Sequence, residues 1–260
     1  MKIASWNVNS IKARLANVVD WLKQAEPDVV CLQEIKTVDE TFPSEAFEDL
    51  GYNVAVHGQK AYNGVALLSK RPLEDVRRGL PGDRQDDQAR FIDALIPTDR
   101  APVRVASLYL PNGNPRDSEK FPYKLKWMDR LIAHAKSLLE QEEEFVLAGD
   151  YNVIPTSDDV YDAKAWADDA LFVYETRAKF YTLSHLGLTD AFRVRHAEPH
   201  LYTFWDYQRG AWPKDHGLRI DHLLLSPQAT DRLGDCDVDA YVRGWQKPSD
   251  HVPIWCVLDE

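Results

Sequence analysis

Short apolar runs bounded by turn residues recur along the chain and predict β-strands. Nine segments have this pattern: KIASW, DVVCLQ, NVAVHG, GVALLS, RFIDALI, VRVASLYL, FVLAGD, DHLLLS and VPIWCVL. Two longer segments repeat apolar residues at helical spacing instead, IKARLANVVDWLKQ and YKLKWMDRLIAHAKSLLEQ. Several strands follow one another directly, with few helices between them. This order predicts an α/β fold of the α+β type, in which mixed sheets form a sandwich with helices outside.

The chain shows no short repeat, low-complexity tract or Gly/Ser linker, and we therefore predict a single domain over residues 1–260. No apolar run approaches the roughly 20 residues that are needed to cross a bilayer. The N-terminal segment lacks the apolar stretch of a signal peptide. The three cysteines, Cys31, Cys236 and Cys256, have no metal-like spacing. These features predict a cytoplasmic protein without a membrane partner.

The formal net charge of −11 disfavours a nucleic-acid partner when taken alone, because phosphate binding normally requires positive charge. A local basic face can nevertheless coexist with an acidic remainder, and a bound divalent cation reverses the sign of the charge at a site. Net charge therefore does not exclude a nucleic-acid partner. The candidates for phosphate contacts are Lys12, Arg14, Lys36, Arg90, Arg116, Lys120 and Arg219.

Six of the predicted strands begin or end at polar residues that are common in catalytic and metal sites. These residues are Asn7, Glu34, Tyr109, Asn112, Asp150, Asn152, Asp221, Asp250 and His251. Each has a simple structural explanation by itself, such as a turn or a helix cap. Together they favour one cleft lined by carboxylates, amides and an imidazole, and this set suits Mg²⁺ or Mn²⁺ better than structural zinc.

The segment GDYNV allows both interpretations. Asp150 and Asn152 fall on the same side of an extended chain, because side chains alternate along a strand. Glycine, aspartate and asparagine also favour turns. This segment alone favours the turn, and the other strand ends are needed to support a catalytic pair.

Six blocks of the sequence are similar, in order, to the signature blocks of the exonuclease III family: WNVNS, DVVCLQEIK, YLPNG, GDYNV, LRIDHLLLS and KPSDHVPI. The chain thus resembles the apurinic/apyrimidinic (AP) endonucleases of the endonuclease/exonuclease/phosphatase superfamily, from residue 3 to about residue 257. The resemblance implies a DNase I-like, four-layered α/β/β/α sandwich. Two mixed sheets would pack face to face between helices, with the site at one edge.

The chemistry of phosphodiester hydrolysis suggests a role for each polar residue. Glu34 is the first choice as metal ligand, with Asn7 beside it, and the resemblance implies the same. The further candidates for metal contact are Asp150, Asn152, Asp250 and His251. Asp150 would deprotonate the attacking water, and Asn152 would hydrogen-bond that water or a phosphate oxygen.

His251 would donate to a phosphate oxygen, with Asp221 as the carboxylate that keeps it protonated, and the family pairs the matching positions. Tyr109 would contact the phosphate or the leaving group, and Asn112 would contact the DNA backbone. The resemblance also implies an apolar slot, formed by Phe204, Trp205 and Leu218, that admits a flipped-out abasic sugar and excludes a normal base. Core packing is the default interpretation of the two aromatic residues.

We therefore predict a monomeric, Mg²⁺-dependent DNA repair hydrolase, with Mn²⁺ as an alternative ion. It would cut duplex DNA 5′ to abasic sites and remove nucleotides from 3′ ends. One alternative is a phosphatase or phosphodiesterase of the same fold that acts on small molecules. Another is a catalytically inactive regulator that binds nucleic acid. The segment YTFWDY weighs against the first alternative, and the presence of every expected catalytic residue weighs against the second.

Overall fold

Twelve strands, six in each of two mixed sheets, form the centre of the protein, whose computed structural model describes residues 1–259. In chain order they are β1 (Lys2–Asn7), β2 (Val29–Gln33), β3 (Asn53–His57), β4 (Val65–Ser69), β5 (Glu74–Arg78), β6 (Phe91–Ile96), β7 (Val103–Tyr109), β8 (Phe145–Asp150), β9 (Thr189–Asp190), β10 (Asp221–Leu225), β11 (Leu233–Val238) and β12 (Ile254–Leu258). The sheets have the orders β11-β12-β1-β2-β4-β3 and β5-β6-β7-β8-β10-β9. Each sheet has one parallel pair at its middle, β1 with β2 and β7 with β8.

Helices cover the outer face of both sheets. Those of the described residues are α1 (Ile11–Ala25), α2 (Ser44–Glu48), α3 (Lys120–Glu140), α4 (Tyr174–His185), α5 (Ala191–Arg195) and α6 (Pro227–Thr230), with short 3₁₀ turns at Asp39–Thr41, Ser157–Asp159 and Ala240–Gly244. Trp21 of α1 packs against Trp6 on the first sheet, and Trp127 of α3 packs in the cluster on the second. The predicted α/β/β/α sandwich is therefore confirmed. No helix within residues 1–259 has the length and apolar character to cross a membrane.

Strand β1 shows how the sequence distributes its side chains between the layers. Ile3 points into the core between the two sheets, whereas Ala4 and Trp6 belong to the cluster beneath α1. Side chains alternate along a strand, so a strand that is covered on both faces is apolar at nearly every position. This is why the central strands were recognisable as unbroken apolar runs.

All nine predicted strands are present, but the sequence pattern missed β5, β9 and β11. All three lie at the edges of the sheets. In β5 four of the five residues are exposed, and in β11 only Cys236 is buried. Edge strands cover little of the core, and their sequences therefore lack the apolar alternation on which the prediction depended.

The topology brings the polar strand ends together at one edge of the sandwich. Strands β1, β2, β7 and β8 end there, while β10 begins there because it runs antiparallel to β8. Asp150 lies in register with Tyr109 on one side and with Asp221 on the other. From the opposite sheet, Asn7 Nδ2 donates to Asp150 Oδ2 at 2.9 Å. Side chains from both sheets therefore meet at Asp150.

Gly149 allows β8 to pass this point. A Cβ atom at Gly149 would lie 1.9 Å from the carbonyl oxygen of Leu108 on the neighbouring strand. Any other residue would push the two parallel strands apart. Because Asp150 follows directly, the glycine fixes the position of that carboxylate between its neighbours.

Candidate active site

His251 lies between two buried carboxylates at the centre of this edge. Its Nδ1 is 2.8 Å from Asp221 Oδ2, and its Nε2 is 3.7 Å from Asp150 Oδ2. Burial alone would lower the pKa of His251, but the charges of Asp221 and Asp150 raise it to about 10. His251 is therefore an imidazolium at neutral pH. It donates from Nδ1 to Asp221 and keeps a second N–H available at Nε2.

Asp150 is a carboxyl group that changes charge near neutral pH. Burial raises the pKa of Asp150, the positive charge of His251 lowers it, and the negative charge of Asp221 raises it further. The resulting pKa is about 7. Besides the bond from Asn7, its Oδ1 accepts a hydrogen bond from the backbone N–H of Asn152 at 2.9 Å. A held carboxylate with a pKa close to the working pH is suited to accept a proton from water.

Glu34 lies on the other side of Asn7 and differs from Asp150 in its charge state. Asn7 Nδ2 donates to Glu34 Oε1 at 3.0 Å, and Lys36 Nζ is 2.9 Å from Oε2. Burial raises the pKa of Glu34, but Lys36 and the hydrogen bond from Asn7 outweigh it, and the pKa lies below its ordinary value. Glu34 is thus ionised at neutral pH. Its side chain remains 18% exposed and can be reached by a cation.

Asn152 is held by the loop that follows β7 and by a lysine that sequence analysis missed. Its Oδ1 accepts from Asn112 Nδ2 at 3.1 Å, and its Nδ2 donates to the carbonyl of Leu110 at 2.9 Å. Lys124 of α3 is fully buried and donates from Nζ to the carbonyls of Asn112 and Asn152, at 3.0 and 2.6 Å. Lys124 therefore ties together the two loops that carry these amides. Lys124 lies outside the six blocks that resemble the family, and its spacing in the helical pattern gave no sign of this position.

Tyr109 presents a protonated hydroxyl beside the carboxylates. Burial and the charges of Glu34 and Asp150 raise the pKa of Tyr109 well above its ordinary value. The guanidinium of Arg90 lies over its ring, 4.8 Å from the centroid. The phenol can therefore act as a hydrogen-bond donor to an anionic oxygen, and it cannot act as a phenolate.

Most of the predicted site residues line one cavity of about 270 Å³, which we call the catalytic pocket. The predicted residues that line it are Glu34, Tyr109, Asn112, Asp150, Asn152, Phe204, Leu218, Asp250 and His251. Asn7 and Asp221 lie behind this lining and hydrogen-bond to it. The residues that sequence analysis missed are Asn114, Trp166, Asp169, Leu171 and Ile220. Of these, only Ile220 lay in a recognised block, LRIDHLLLS.

The apolar wall of the catalytic pocket differs in one residue from the predicted slot. The ring of Phe204 packs edge-on against that of His251, with centroids 4.9 Å apart, and Leu218 pairs with Phe204 through backbone hydrogen bonds. Trp205 does not line the pocket. It is buried with Tyr202 in a separate cluster, and its Nε1 donates to Asp215 at 2.9 Å. Trp205 is therefore a core residue, whereas Phe204 and Leu218 form the apolar side of the catalytic pocket.

The candidate phosphate-binding cations divide into three groups. Arg219 is 1% exposed, and its guanidinium binds Asp159 at 2.7 Å and Asp190 at 2.8 Å. The prediction that it contacts phosphate is contradicted by this burial, because its charge is fully used inside the protein. Lys36 and Arg90 lie at the catalytic pocket through Glu34 and Tyr109. The remaining candidates, Lys12, Arg14, Arg116 and Lys120, are exposed or half-buried.

The donor atoms of the site fit a hard divalent cation. One ligand atom each from Asp150, Asp221 and His251 lie within 4.8 Å of one another. Asp221 Oδ1 is buried without a hydrogen-bond partner among the described residues, and such an atom is normally satisfied by water or an ion. At this group a cation competes with the proton on His251, whereas at Glu34 it competes with the ammonium of Lys36, 2.9 Å from Oε2. The oxygen-rich set as a whole suits Mg²⁺-like ions rather than zinc.

A two-sheet sandwich with an Asp–His–Asp cluster, an amide pair and an ionised carboxylate at one edge is typical of a class of phosphoester hydrolases. A model of the Endonuclease/Exonuclease/phosphatase family matches residues 4–251, and the chain belongs to this family. It is 36% identical to Exodeoxyribonuclease III of Haemophilus influenzae over 263 residues, with 98% of each chain covered.

Two solved structures are similar over the full length of both chains. The AP endonuclease from Archaeoglobus fulgidus has a TM-score of 0.94 and is 38% identical. The 3′ phosphatase NExo from Neisseria, bound to a product DNA hairpin, has a TM-score of 0.96 and is also 38% identical. The family and the fold that the sequence blocks predicted are thus confirmed.

Proposed function

We propose that the protein is a DNA repair nuclease, acting as a 3′→5′ exodeoxyribonuclease and as an AP endonuclease that cuts 5′ to abasic sites in duplex DNA. The observation that carries this proposal is the imidazolium of His251, held between Asp221 and Asp150 in a pocket with an apolar wall. The similarity to Exodeoxyribonuclease III and to a DNA-bound 3′ phosphatase supports DNA as the substrate class.

In this proposal the protein's own residues divide the work of hydrolysis. Asp150 accepts the proton of the attacking water, which Asn152 helps to orient. His251 donates from Nε2 to a non-bridging phosphate oxygen, and Asp221 keeps the imidazolium charged and correctly oriented. Tyr109 donates its hydroxyl to the phosphate or to the leaving oxygen. Asn112, which is exposed in the loop that follows β7, contacts the DNA backbone.

We propose that Glu34 and Asp250 hold Mg²⁺, with Mn²⁺ as an alternative ion. Asn7 would lie beside the ion. Its amide N–H groups donate to Glu34 and to Asp150, and they thereby align these two carboxylates. A bound divalent ion would supply charge compensation for the phosphoryl oxygens and stabilise the leaving oxygen.

The apolar wall supports abasic DNA as a substrate. Phe204, Leu218 and Ile220 give the catalytic pocket a small hydrophobic end next to His251. A deoxyribose without its base fits such an end, whereas a sugar carrying a base in the same position would be excluded sterically. We further propose that the chain acts as a single-domain monomer in the cytoplasm.

A nuclease assay tests the proposed function. The substrate is duplex DNA with one abasic analogue, incubated with Mg²⁺ or with EDTA, beside a panel of small phosphomonoesters. We expect cleavage 5′ to the analogue with Mg²⁺ and loss of that cleavage with EDTA. Turnover of the small phosphoesters alone would favour the small-molecule phosphatase. Tight duplex binding without any cleavage would favour the inactive regulator.

Glu34→Gln should weaken the response to metal, because the substitution removes the charge that binds the cation while keeping the size of the side chain. We expect a higher Mg²⁺ concentration for half-maximal cleavage, a lower turnover, and partial recovery at high Mg²⁺. A titration of the cleavage rate with Mg²⁺ measures all three. Glu45→Gln, at an exposed site on α2, is the matched control and should behave like the wild type. An unchanged titration for Glu34→Gln would remove Glu34 from the metal site.

A further inference from the structure

A second cavity, of about 310 Å³, adjoins the catalytic pocket. We call it the outer pocket. Trp166, Phe204 and Leu218 line both cavities. The two spaces are therefore separated by a single layer of side chains, and one ligand can extend from the catalytic pocket over this layer into the outer pocket.

The outer pocket has aromatic walls. The rings of Tyr161 and His216 stack face to face, with centroids 4.4 Å apart and an angle of 4° between the planes. Both side chains are exposed at the protein surface, and Trp166 belongs to the same lining. Flat aromatic faces of this kind bind planar rings by stacking, and they do so with little dependence on the identity of the ring.

The rim of the outer pocket carries polar groups that the protein itself does not use. The side chains of Gln208 and Arg209 make no hydrogen bond or ion pair with the rest of residues 1–259, and the same is true of the indole N–H of Trp166. These groups offer several donors and one amide acceptor to a ligand. The carboxylate of Asp206 lies in the same lining and disfavours a phosphate there.

We propose that the outer pocket binds the nucleobase of an unpaired nucleotide whose sugar and phosphate lie in the catalytic pocket. The proposal rests on the proposed function and names a second part of the same substrate. A base is planar, stacks on aromatic faces, and presents donors and acceptors at its edge for Gln208 and Arg209. A volume of about 310 Å³ is at the lower end of the range for small-ligand pockets, which suits one base rather than a base pair.

This arrangement resolves a conflict between the two proposed activities. The apolar end of the catalytic pocket has room for a sugar without a base, yet an exonuclease must also hold 3′-terminal nucleotides that carry their base. A base directed over Phe204 and Leu218 into the outer pocket leaves the phosphate beside His251. Substrates without a base do not need the outer pocket. Substitutions in the outer pocket should therefore lower the removal of 3′-terminal nucleotides that carry a base and leave abasic cleavage unchanged.

The test compares two substrates with the same enzyme variants. One duplex carries a mismatched nucleotide at its 3′ end, and the other carries an internal abasic analogue. Tyr161→Ala and His216→Ala should lower kcat/KM for the mismatched end about tenfold and leave abasic cleavage within about twofold of the wild type. Tyr161→Phe, which keeps the stacking ring, should restore the rate. Tyr174→Ala is the control, because Tyr174 is 75% exposed and lies outside both pockets.

A fluorescent base analogue at the 3′ end gives a readout that depends on stacking itself. Its emission should be quenched on binding to the wild type, and the quenching should diminish in Tyr161→Ala. Equal effects on both substrates, or no effect on the mismatched end, would overturn the base-binding proposal. Failure of the wild type to cut either duplex would instead overturn the proposed function, so the two failures are distinguishable. Thermal melting of each variant checks that it is folded.

Discussion

Asp150→Asn is expected to lower single-turnover cleavage of abasic duplex DNA by about 10²–10⁴, the usual contribution of a positioned general base. The substitution preserves the size of the side chain and removes its negative charge. The hydrogen bond from the Asn152 backbone can remain, while the one from Asn7 is lost. We expect folding and binding of abasic DNA to be retained, with at most ~1–2 kcal/mol of stability lost.

The pH dependence of cleavage gives this prediction a second readout. Asp150 must be ionised to accept a proton, so the rate should rise with pH through the pKa of Asp150, which is about 7 without a bound cation and lower with one nearby. His251 must stay protonated to donate, so the rate should fall as the pH passes about 10. In Asp150→Asn the rise should disappear, and the fall should move to lower pH because one of the two carboxylates that raise the pKa of His251 is gone.

Asp158→Asn provides the matched control for this experiment. Asp158 is exposed in a short 3₁₀ turn, and its replacement should leave both the rate and the pH profile unchanged. Single-turnover cleavage and thermal melting would be measured together. Near-normal turnover of Asp150→Asn would restore the turn interpretation of GDYNV, in which these residues only end a strand.

The central strands and the polar strand ends could be predicted because both leave a local signal. Strands covered on both faces are continuous apolar runs, and polar residues such as Asn7 and Asp150 are the last residues of these strands. The edge strand β5 leaves no such signal, since most of its side chains face solvent. Trp166 and Leu171 reach the catalytic pocket from loops distant in sequence, and their composition gave no indication of that position.

The error at Trp205 has a simple geometric cause. Consecutive side chains of an extended segment point to opposite sides, so Phe204 and Trp205 cannot both face one pocket. By the same alternation Leu218 and Ile220 share a side, and both line the catalytic pocket. The alternation was present in the sequence, and applying it would have replaced Trp205 by Ile220.

The positive charge of a residue does not show whether its side chain contacts DNA, and Arg219 is an example. Arg219 precedes Ile220 and Asp221 in a block related to catalysis, which made a phosphate contact a reasonable expectation. Its partners Asp159 and Asp190 lie 60 and 29 residues away in the chain. The local sequence around an arginine does not show whether its side chain is buried in an ion pair or exposed to DNA. Only the tertiary contacts distinguish the two.

Arg219→Ala should therefore lower the free energy of unfolding by ~3–5 kcal/mol. The substitution removes the buried guanidinium that pairs with both Asp159 and Asp190, and it leaves Asp159 with Arg193 as its remaining counterion. Asp159 is 0% exposed. Burial raises the pKa of Asp159, but Arg219 and Arg193 lower it to about 2. A carboxyl group with a lowered pKa stabilises the fold above its ordinary pKa, and this stability is lost as the pH falls towards about 2. In the variant this dependence on pH should be weaker.

Chemical denaturation at several pH values, together with DNA binding, decides between the two roles of Arg219. Lys120→Ala, at an exposed position, is the control and should change stability by less than about 0.5 kcal/mol. Arg219→Lys keeps the positive charge but not the guanidinium that binds Asp159 and Asp190 together, so it should fall between Arg219→Ala and the wild type. If Arg219→Ala retained full stability but bound duplex DNA weakly, Arg219 would be a phosphate contact and the buried ion pair would carry no structural role.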